Sequence, residues 1–243
     1  MTLLQVNDLT KHYGSLRAVD GVSFTLNAGE ILGVVGESGC GKTTLLRLIS
    51  GLEAADSGRI LLHGRPLTVR RTKADYRAMQ MIFQDAAGSF HPRRRIADSL
   101  EDSVRSLLGR DTPADIPALC AMVGLPPELA RRHPRDLSGG QCQRFAIARA
   151  MAVSPQLLLC DEITSALDGI SQARILELLR TLCRQKHMAA VYVSHDLAGV
   201  AGLCSRLLVM QNGRVIEQGE TAALLRSPKE TATQQLLASV MTW

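Results

Sequence analysis

The sequence predicts an α/β fold with a small layer of β-strands at its amino end and a helical block inserted before its last strands. Short β-type runs with turn signals fill residues 3–35, helical spacing takes over at about 85–155, and β-type runs then return. This order indicates one domain that contains a subdomain and not two independent domains. We expect a single domain over 1–243, with its core at about 1–84 and 156–243 and the helical subdomain at about 85–155.

The elements follow one another in a regular order. The first strands, VNDLTKHYG, AVDGVSFTLNAGE and ILGVVG, are separated by breaks at Asp20-Gly21 and Ala28-Gly29, and the helix TTLLRLISGL then ends at Gly51. Later strands are RILLHG, MQMIFQ, QLLLCDE, AAVYVSHD and RLLVMQNGRVIEQG, the last with a hairpin signal at Asn212-Gly213. The helical block holds SLEDSVRSLLG, IPALCAMVG and QCQRFAIARAMAV.

Composition restricts the possible classes of protein. Charged residues interrupt every apolar run before it reaches the length of a membrane-spanning helix, and the start lacks the pattern of a signal peptide, so we expect a cytosolic chain. The net charge of +5 suits an anionic partner, but 3% aromatic residues leave little material for stacking on bases, and we expect no nucleic acid. The six cysteines form no CxxC pair, which argues against a disulfide framework or a zinc site.

A phosphate-binding loop is the strongest motif. Gly36, Gly41, Lys42 and Thr43 have the P-loop spacing between an apolar strand and a helix, a context that an incidental glycine-rich turn lacks. Lys42 is expected to contact the β- and γ-phosphates of a nucleotide, and the Thr43 hydroxyl to bind Mg²⁺. The expected nucleotide-binding residues here are Gly36, Ser38, Gly39, Cys40, Gly41, Lys42, Thr43 and Thr44.

Two carboxylates end the apolar run 157–160. A buried parallel strand delivers its last side chains to the edge where ligands bind, so Asp161 is expected to hold Mg²⁺ and Glu162 to act as general base on water. Alone, such a run is weak evidence, because many strands simply end in a charged, solvated turn. Its separation from a P-loop by a helical block favours the catalytic interpretation.

A second anion-binding helix start follows from the LSGGQ sequence at 137–141. Ser138 is a good N-cap residue, and the two glycines allow a ligand to approach the exposed N–H groups. An ordinary serine-capped helix is the alternative. One ATP molecule cannot use both the P-loop and the LSGGQ helix start of the same chain. Two chains packed head-to-tail would use both. The residues of this half-site are Ser138, Gly139, Gly140 and Gln141.

The order of the motifs resembles that of ABC ATPases over almost the whole chain. The matching positions are Tyr13, the loop 36–43, Gln84, LSGGQ at 137–141, the strand 157–162, SALD at 165–168 and His195. The resemblance implies a P-loop NTPase core with an N-terminal antiparallel β subdomain and an inserted helical subdomain, which is the ABC ATPase fold.

The same resemblance implies roles for four further residues. Tyr13 is similar to the aromatic residue that stacks on adenine, although a surface tyrosine in a loop is the alternative. Gln84 resembles the glutamine that senses Mg²⁺ and the attacking water, and Asp168 the residue that links two ATP sites across a dimer. His195 resembles the histidine that contacts the γ-phosphate and steadies Glu162. The expected catalytic residues are thus Glu162, His195, Gln84 and Lys42, and the expected Mg²⁺ ligands are Thr43, Gln84 and Asp161.

Two positions depart from the family pattern. Cys142 stands where a polar or basic residue is usual, and Ile163 stands where proline is common. The catalytic carboxylates are intact, so neither departure indicates an inactive site. Arg93, Arg94 and Arg95 either touch a membrane subunit or lipid headgroups, or form a solvated basic turn.

The cargo and the partners follow only from the resemblance. MIFQDAAGSFHPRRRIADSL and the tail after 206 resemble the ATPases of oligopeptide, dipeptide and nickel importers, and the early end at Trp243 favours the nickel or metal-chelate branch. The expected function is ATP hydrolysis that powers an importer at the cytoplasmic face of the membrane. Expected partners are a second ATPase subunit, preferably a paralogue, two transmembrane permease subunits and, indirectly, an external binding protein. The alternatives are an ABC-type ATPase without a transporter and an importer ATPase for another small solute.

Overall fold

The structure is a computed structural model that describes residues 1–240, so the last three residues of the expected domain lie outside the described residues. Its strands are β1 (Thr2–Tyr13), β2 (Leu16–Asn27), β3 (Ile31–Val35), β4 (Ser57–Leu62), β5 (Arg65–Pro66), β6 (Met79–Ile82), β7 (Leu157–Asp161), β8 (Ala189–Val193), β9 (Arg206–Gln211) and β10 (Arg214–Glu220). Its α-helices are α1 (Lys42–Ser50), α2 (Lys73–Ala78), α3 (Ile96–Leu108), α4 (Ile116–Met122), α5 (Gly139–Met151), α6 (Gly169–Lys186), α7 (Leu197–Leu203), α8 (Thr221–Arg226) and α9 (Thr231–Val240).

The chain divides into two compact units, one formed by Met1–Arg71 with 182–240 and the other by Thr72–Thr181. Both mix helices with strands, which confirms the predicted α/β class. The boundaries expected for the helical subdomain, about 85–155, remain a prediction.

The first unit contains an antiparallel sheet in the order β2-β1-β4-β5. Its buried side chains, Leu4, Val6 and Leu26 among them, face the core of this unit. The predicted antiparallel β layer at the amino end is therefore confirmed.

The predicted break at Asp20-Gly21 is wrong. β2 continues through both residues, and its register against β1 shifts there, so that two residues of β2 oppose one residue of β1. Gly21 has a φ of 68° and its N–H donates to the Thr10 hydroxyl at 3.2 Å. The glycine thus allows a β-bulge inside a long strand and does not end it.

The same unit holds the strands β10-β9-β3-β8 in that order. β3 runs parallel to β8 and β9, and every residue of β3 and β8 is buried, as expected for strands covered on both faces. The hairpin between β9 and β10 is confirmed, with Asn212 and Gly213 both at positive φ, 48° and 80°.

The second unit pairs β6 with β7 in parallel and surrounds α5 with the other helices of the block. Apolar side chains of α3 and α5, such as Leu100 and Phe145, are fully buried. The three predicted helices of this block are confirmed as α3, α4 and α5.

All six cysteines are buried free thiols. Over residues 1–240, no helix combines the length and the apolar character that crossing a bilayer requires.

Candidate functional site

The glycine-rich loop joins β3 to α1 in the first unit and has the geometry of a phosphate cradle. Gly36 and Gly41 have φ values of 153° and 108°. A Cβ at Gly36 would lie well within 3.0 Å of the Met210 carbonyl oxygen, and one at Gly41 equally close to that of Ala18. Only glycine fits at these two positions. The loop ends at the first turn of α1, where backbone N–H groups have no partner within the helix and attract anions.

Lys42 is buried inside this loop. Its ammonium donates to the carbonyl oxygens of Gly36 and Glu37, both at 2.8 Å, and approaches the Cys40 sulfur at 3.7 Å. Burial raises the pKa of the Cys40 thiol, so this cysteine is neutral and serves as packing. A buried cation among oxygen atoms is well placed to exchange them for phosphate oxygens.

The remaining residues of the loop lie at its tip and at the start of α1. Thr43 and Thr44 form the first turn of α1, whereas Ser38 and Gly39 are exposed at the tip. Thr43 in the first unit and Asp161 in the second unit each carry a hard oxygen donor of the kind that Mg²⁺ selects. Within residues 1–240, no cluster of three His, Cys, Asp or Glu side chains offers a metal site made of protein alone.

Tyr13 lies at the end of β1, not in a loop, and its side chain is 43% exposed. Its hydroxyl donates to the carboxylate of Glu53, and this hydrogen bond raises the pKa of Tyr13, so the phenol stays protonated. The Lys11 ammonium lies 5.6 Å from the centre of the ring. An exposed, anchored aromatic ring is suited to stacking, and Glu53 is a partner that the sequence did not reveal.

His195 follows β8 by two residues and is exposed. Val193 is in register with Val34, and β3 and β8 run parallel, so both strands end at one edge of the sheet. The Ser194 N–H donates to the Val34 carbonyl oxygen at 3.2 Å. Within this unit, therefore, the loop that carries His195 and the phosphate loop leave neighbouring strands at the same edge.

The second unit brings Gln84 and Glu162 together. The Gln84 amide nitrogen donates to a carboxylate oxygen of Glu162 at 3.4 Å and to the Ser165 hydroxyl at 3.2 Å. The Ser165 hydroxyl in turn donates to the Glu162 carbonyl oxygen at 3.0 Å. Sequence reasoning gave Ser165 no role. Its place within the 165–168 motif was the only signal.

Asp161 and Glu162 differ sharply in their surroundings. Asp161 ends β7 and is only 5% exposed, whereas Glu162 leaves the strand with a left-handed φ of 46°. At one strand end, therefore, one carboxylate is buried and the next is partly exposed. This arrangement allows one to bind a cation and the other to accept a proton.

The start of α5 is a reciprocal capping box. The Ser138 hydroxyl accepts from the Gln141 N–H at 3.3 Å, and the Gln141 side chain accepts from the Ser138 N–H at 3.0 Å. The predicted N-cap is confirmed. A Cβ at Gly139 or Gly140 would meet only ordinary contacts, at 3.6 and 3.5 Å. Packing within the chain does not require these glycines, which is consistent with close approach from outside.

Asp168 caps the start of α6. Its carboxylate accepts from the Ser171 N–H at 2.9 Å and from the Ser171 hydroxyl at 2.7 Å, and these bonds lower its pKa. The structure thus gives Asp168 a local role in the chain. Its predicted link to a second ATP site stays a prediction.

The two residues that depart from the family pattern, Cys142 and Ile163, are both buried. The Cys142 thiol donates to the Pro134 carbonyl oxygen at 3.4 Å, and burial raises its pKa. Ile163 is 1% exposed. Both side chains therefore belong to the core of the second unit.

Arg149 is a further residue that the sequence did not single out. Its guanidinium lies 4.3 Å from the centre of the Phe90 ring and donates to the Ser89 carbonyl oxygen at 2.7 Å and to its hydroxyl at 2.9 Å. It thereby attaches α5 to the segment that follows Gln84. An arginine in the apolar run AIARAMA was the available signal.

The chain is similar to a known protein family and to named members of it. A family model described as ABC transporter matches residues 19–165. The oligopeptide transport ATP-binding protein OppF of Haemophilus influenzae is 40% identical over 233 residues, which cover 93% of this chain and 70% of that protein. A probable peptide ABC transporter ATP-binding protein, y4tS of Sinorhizobium fredii, is 42% identical over 254 residues, covering 98% and 72%.

Solved structures of ATP-binding cassettes have the same fold. The cbiO1 protein of Clostridium perfringens, part of the ABC transporter complex cbiONQ, superposes with a TM-score of 0.82 at 26% identity and covers 93% of this chain and 91% of its own. The ATP-binding cassette MJ0796, solved as a dimer bound to ADP and Pi, gives a TM-score of 0.79 at 25% identity over 90% and 99%.

Proposed function

The chain belongs to the ABC transporter family of ATP-hydrolysing subunits, and we propose that it powers an importer of peptides. The observation that carries the catalytic part is the contact of the Gln84 amide with the Glu162 carboxylate at the end of a buried strand. The peptide cargo rests on the names of the two relatives, which share 40% and 42% identity with nearly the whole chain. These names favour peptides over the nickel or metal chelates that the sequence also suggested.

In the proposed mechanism, the phosphate loop binds ATP and Lys42 transfers its hydrogen bonds from the Gly36 and Glu37 carbonyl oxygens to the β- and γ-phosphates. Tyr13 stacks on the adenine. Mg²⁺, held by Thr43, Gln84 and Asp161, would neutralise charge on the phosphates. The other proposed nucleotide contacts are Ser38, Gly39, Cys40, Gly41 and Thr44.

Glu162 accepts the proton of the attacking water. The Gln84 amide already donates to its carboxylate, which restrains the orientation of that carboxylate. His195 contacts the γ-phosphate. A positioned general base contributes about 10²–10⁴-fold to a hydrolysis rate.

The helix start at Ser138, Gly139, Gly140 and Gln141 serves a nucleotide held by a second subunit. Its exposed N–H groups and dipole favour the negative γ-phosphate, so ATP stabilises a closed pair of subunits and hydrolysis releases it. Asp168 lies at the same interface. We expect the second subunit to be a paralogue, and the pair to work with two permease subunits and an external binding protein at the cytoplasmic face of the membrane.

Replacing Glu162 tests the catalytic proposal. Glu162→Gln should bind ATP, lose at least about 10²-fold in turnover and accumulate as an ATP-bound dimer, because the amide cannot accept the proton. Glu177→Gln, on the exposed face of α6, is the matched control and should keep full turnover. Near-normal turnover of Glu162→Gln would remove Glu162 from the role of base.

The cargo requires the assembled transporter. Uptake of a labelled peptide and of radiolabelled Ni²⁺ is compared in vesicles that contain the complete complex. Peptide uptake that depends on ATP supports the proposal, and uptake of nickel alone contradicts it.

A further inference from the structure

The loop between α1 and β4 accepts hydrogen bonds from the last three residues of β1. The carboxylate of Glu53 accepts from the Tyr13 hydroxyl. The carboxylate of Asp56 accepts from the His12 N–H at 2.7 Å and from the Lys11 ammonium at 3.1 Å. Three successive residues of the strand end are thus attached to one short loop.

These contacts determine which face of the Tyr13 ring is available. The Lys11 ammonium, anchored by Asp56, lies over the ring at 5.6 Å from its centre. A cation over one face leaves the opposite face for a stacked base. The hydroxyl bond to Glu53 restrains the two side-chain torsions that set the ring plane.

Glu53 is itself attached to the phosphate-binding helix. Its N–H donates to the Arg47 carbonyl oxygen at 3.2 Å, and its carboxylate lies 3.8 Å from the Arg47 guanidinium. Arg47 belongs to α1, which begins at Lys42. The ring of Tyr13 is therefore linked through Glu53 to the same helix that would receive the phosphates.

We propose that Glu53 is a positioning residue for nucleotide binding, because its carboxylate holds the Tyr13 ring in the orientation in which adenine stacks and at a fixed place relative to α1. Preorganising a side chain removes the entropy cost of ordering it when the ligand binds. The effect therefore falls on affinity for the base and not on the phosphate loop. The inference rests on the adenine-stacking role proposed for Tyr13.

The test separates the base from the phosphates. Dissociation constants for ATP and for inorganic tripolyphosphate are measured for the full chain and for Glu53→Ala. We expect ATP to bind about 3–10-fold more weakly and tripolyphosphate to bind unchanged, because a Tyr13 side chain that Glu53 no longer holds must be ordered when the base binds. Glu53→Gln, which retains an acceptor for the Tyr13 hydroxyl, should restore most of the affinity.

A double-mutant cycle identifies the route of the effect. Tyr13→Phe should weaken ATP binding as much as Glu53→Ala, and the double variant should be no weaker than either, because both remove the same bond. Additive effects, or an equal loss for tripolyphosphate, would overturn the proposal. Glu177→Ala is the control for a removed surface carboxylate and should change neither constant.

A different set of results would show that Tyr13 does not stack on adenine. If Tyr13→Ala leaves ATP affinity unchanged while tripolyphosphate and ATP both still bind, Tyr13 does not stack on adenine and the role of Glu53 is also overturned. If neither ligand binds the unmodified chain, the nucleotide-binding function itself is wrong. If Tyr13→Ala weakens ATP binding but Glu53→Ala does not, only the role of Glu53 is wrong.

Discussion

Replacing Gly41 by alanine measures how tightly the phosphate loop is packed against β2. Gly41 has a φ of 108°, outside the region that alanine readily adopts, and its Cβ would lie well within 3.0 Å of the Ala18 carbonyl oxygen. Gly39, two residues earlier in the same loop, has a φ of 79°, and a methyl group added there would meet no atom within 4 Å beyond its chain neighbours. The two glycines therefore share a positive φ and differ in the space around them.

The expected costs follow from this difference. Gly39→Ala introduces only the strain of a left-handed backbone, about 1–2 kcal/mol of unfolding free energy. Gly41→Ala introduces a comparable backbone strain and in addition must push the loop from β2 by about 1 Å, which costs about 1–3 kcal/mol in a packed interior. We expect Gly41→Ala to lose about 2–5 kcal/mol and Gly39→Ala about 1–2 kcal/mol.

Urea unfolding without nucleotide measures both values, so that ATP affinity does not enter the comparison. In thermal unfolding, the two melting temperatures should differ by about 2–12 °C, since the variants differ by about 1–3 kcal/mol and a domain of this size loses about 2–4 °C per kcal/mol. Equal destabilisation of the two variants would show that the loop rearranges freely and that contact with Ala18 does not restrain it.

Two further substitutions test the second unit. Arg149→Met should lower the free energy of unfolding by about 2–4 kcal/mol in urea, because it removes two hydrogen bonds to Ser89 and a cation over the Phe90 ring; unchanged stability would contradict the role given to these contacts. Ser138→Ala should lose about 1 kcal/mol with the N-cap. Ser138→Asp should keep the cap and the stability but reduce ATPase activity at least about 10-fold, because its charge repels the γ-phosphate; full activity would place that phosphate elsewhere.

Local signals in the sequence predicted the elements that depend on local chemistry. The hairpin at Asn212 and Gly213, the end of α1 at Gly51 and the cap at Ser138 each need only a few neighbouring residues. Asp20-Gly21 has the sequence of a hairpin turn. Whether β2 ends at these two residues depends on their pairing with β1. Because Thr10 of β1 satisfies the Gly21 N–H, the pair becomes a bulge.

The residue pairs of the candidate site could be predicted only with knowledge of the register between the strands. β6 and β7 are parallel, and Ile82 is opposite Cys160. Gln84 and Glu162 each lie two residues beyond this pair, which explains why they meet. The sequence contains both residues but not the register, since the apolar runs of the two strands allow several alignments. The contact of Arg149 with Ser89, 60 residues apart, was invisible for the same reason.

Ile163 stands where the family pattern has proline, and the backbone of Glu162 shows why this change still allows Glu162 to act as a base. A proline at 163 would push the preceding residue toward extended backbone. Ile163 imposes no such restriction, and Glu162 takes a left-handed φ of 46°, which costs about 1–2 kcal/mol. Its carbonyl oxygen accepts both the Ser165 N–H at 3.1 Å and the Ser165 hydroxyl at 3.0 Å. Two hydrogen bonds to one oxygen offset a strain of this size, so Ser165 stabilises the left-handed turn at Glu162 that a proline at 163 would disfavour.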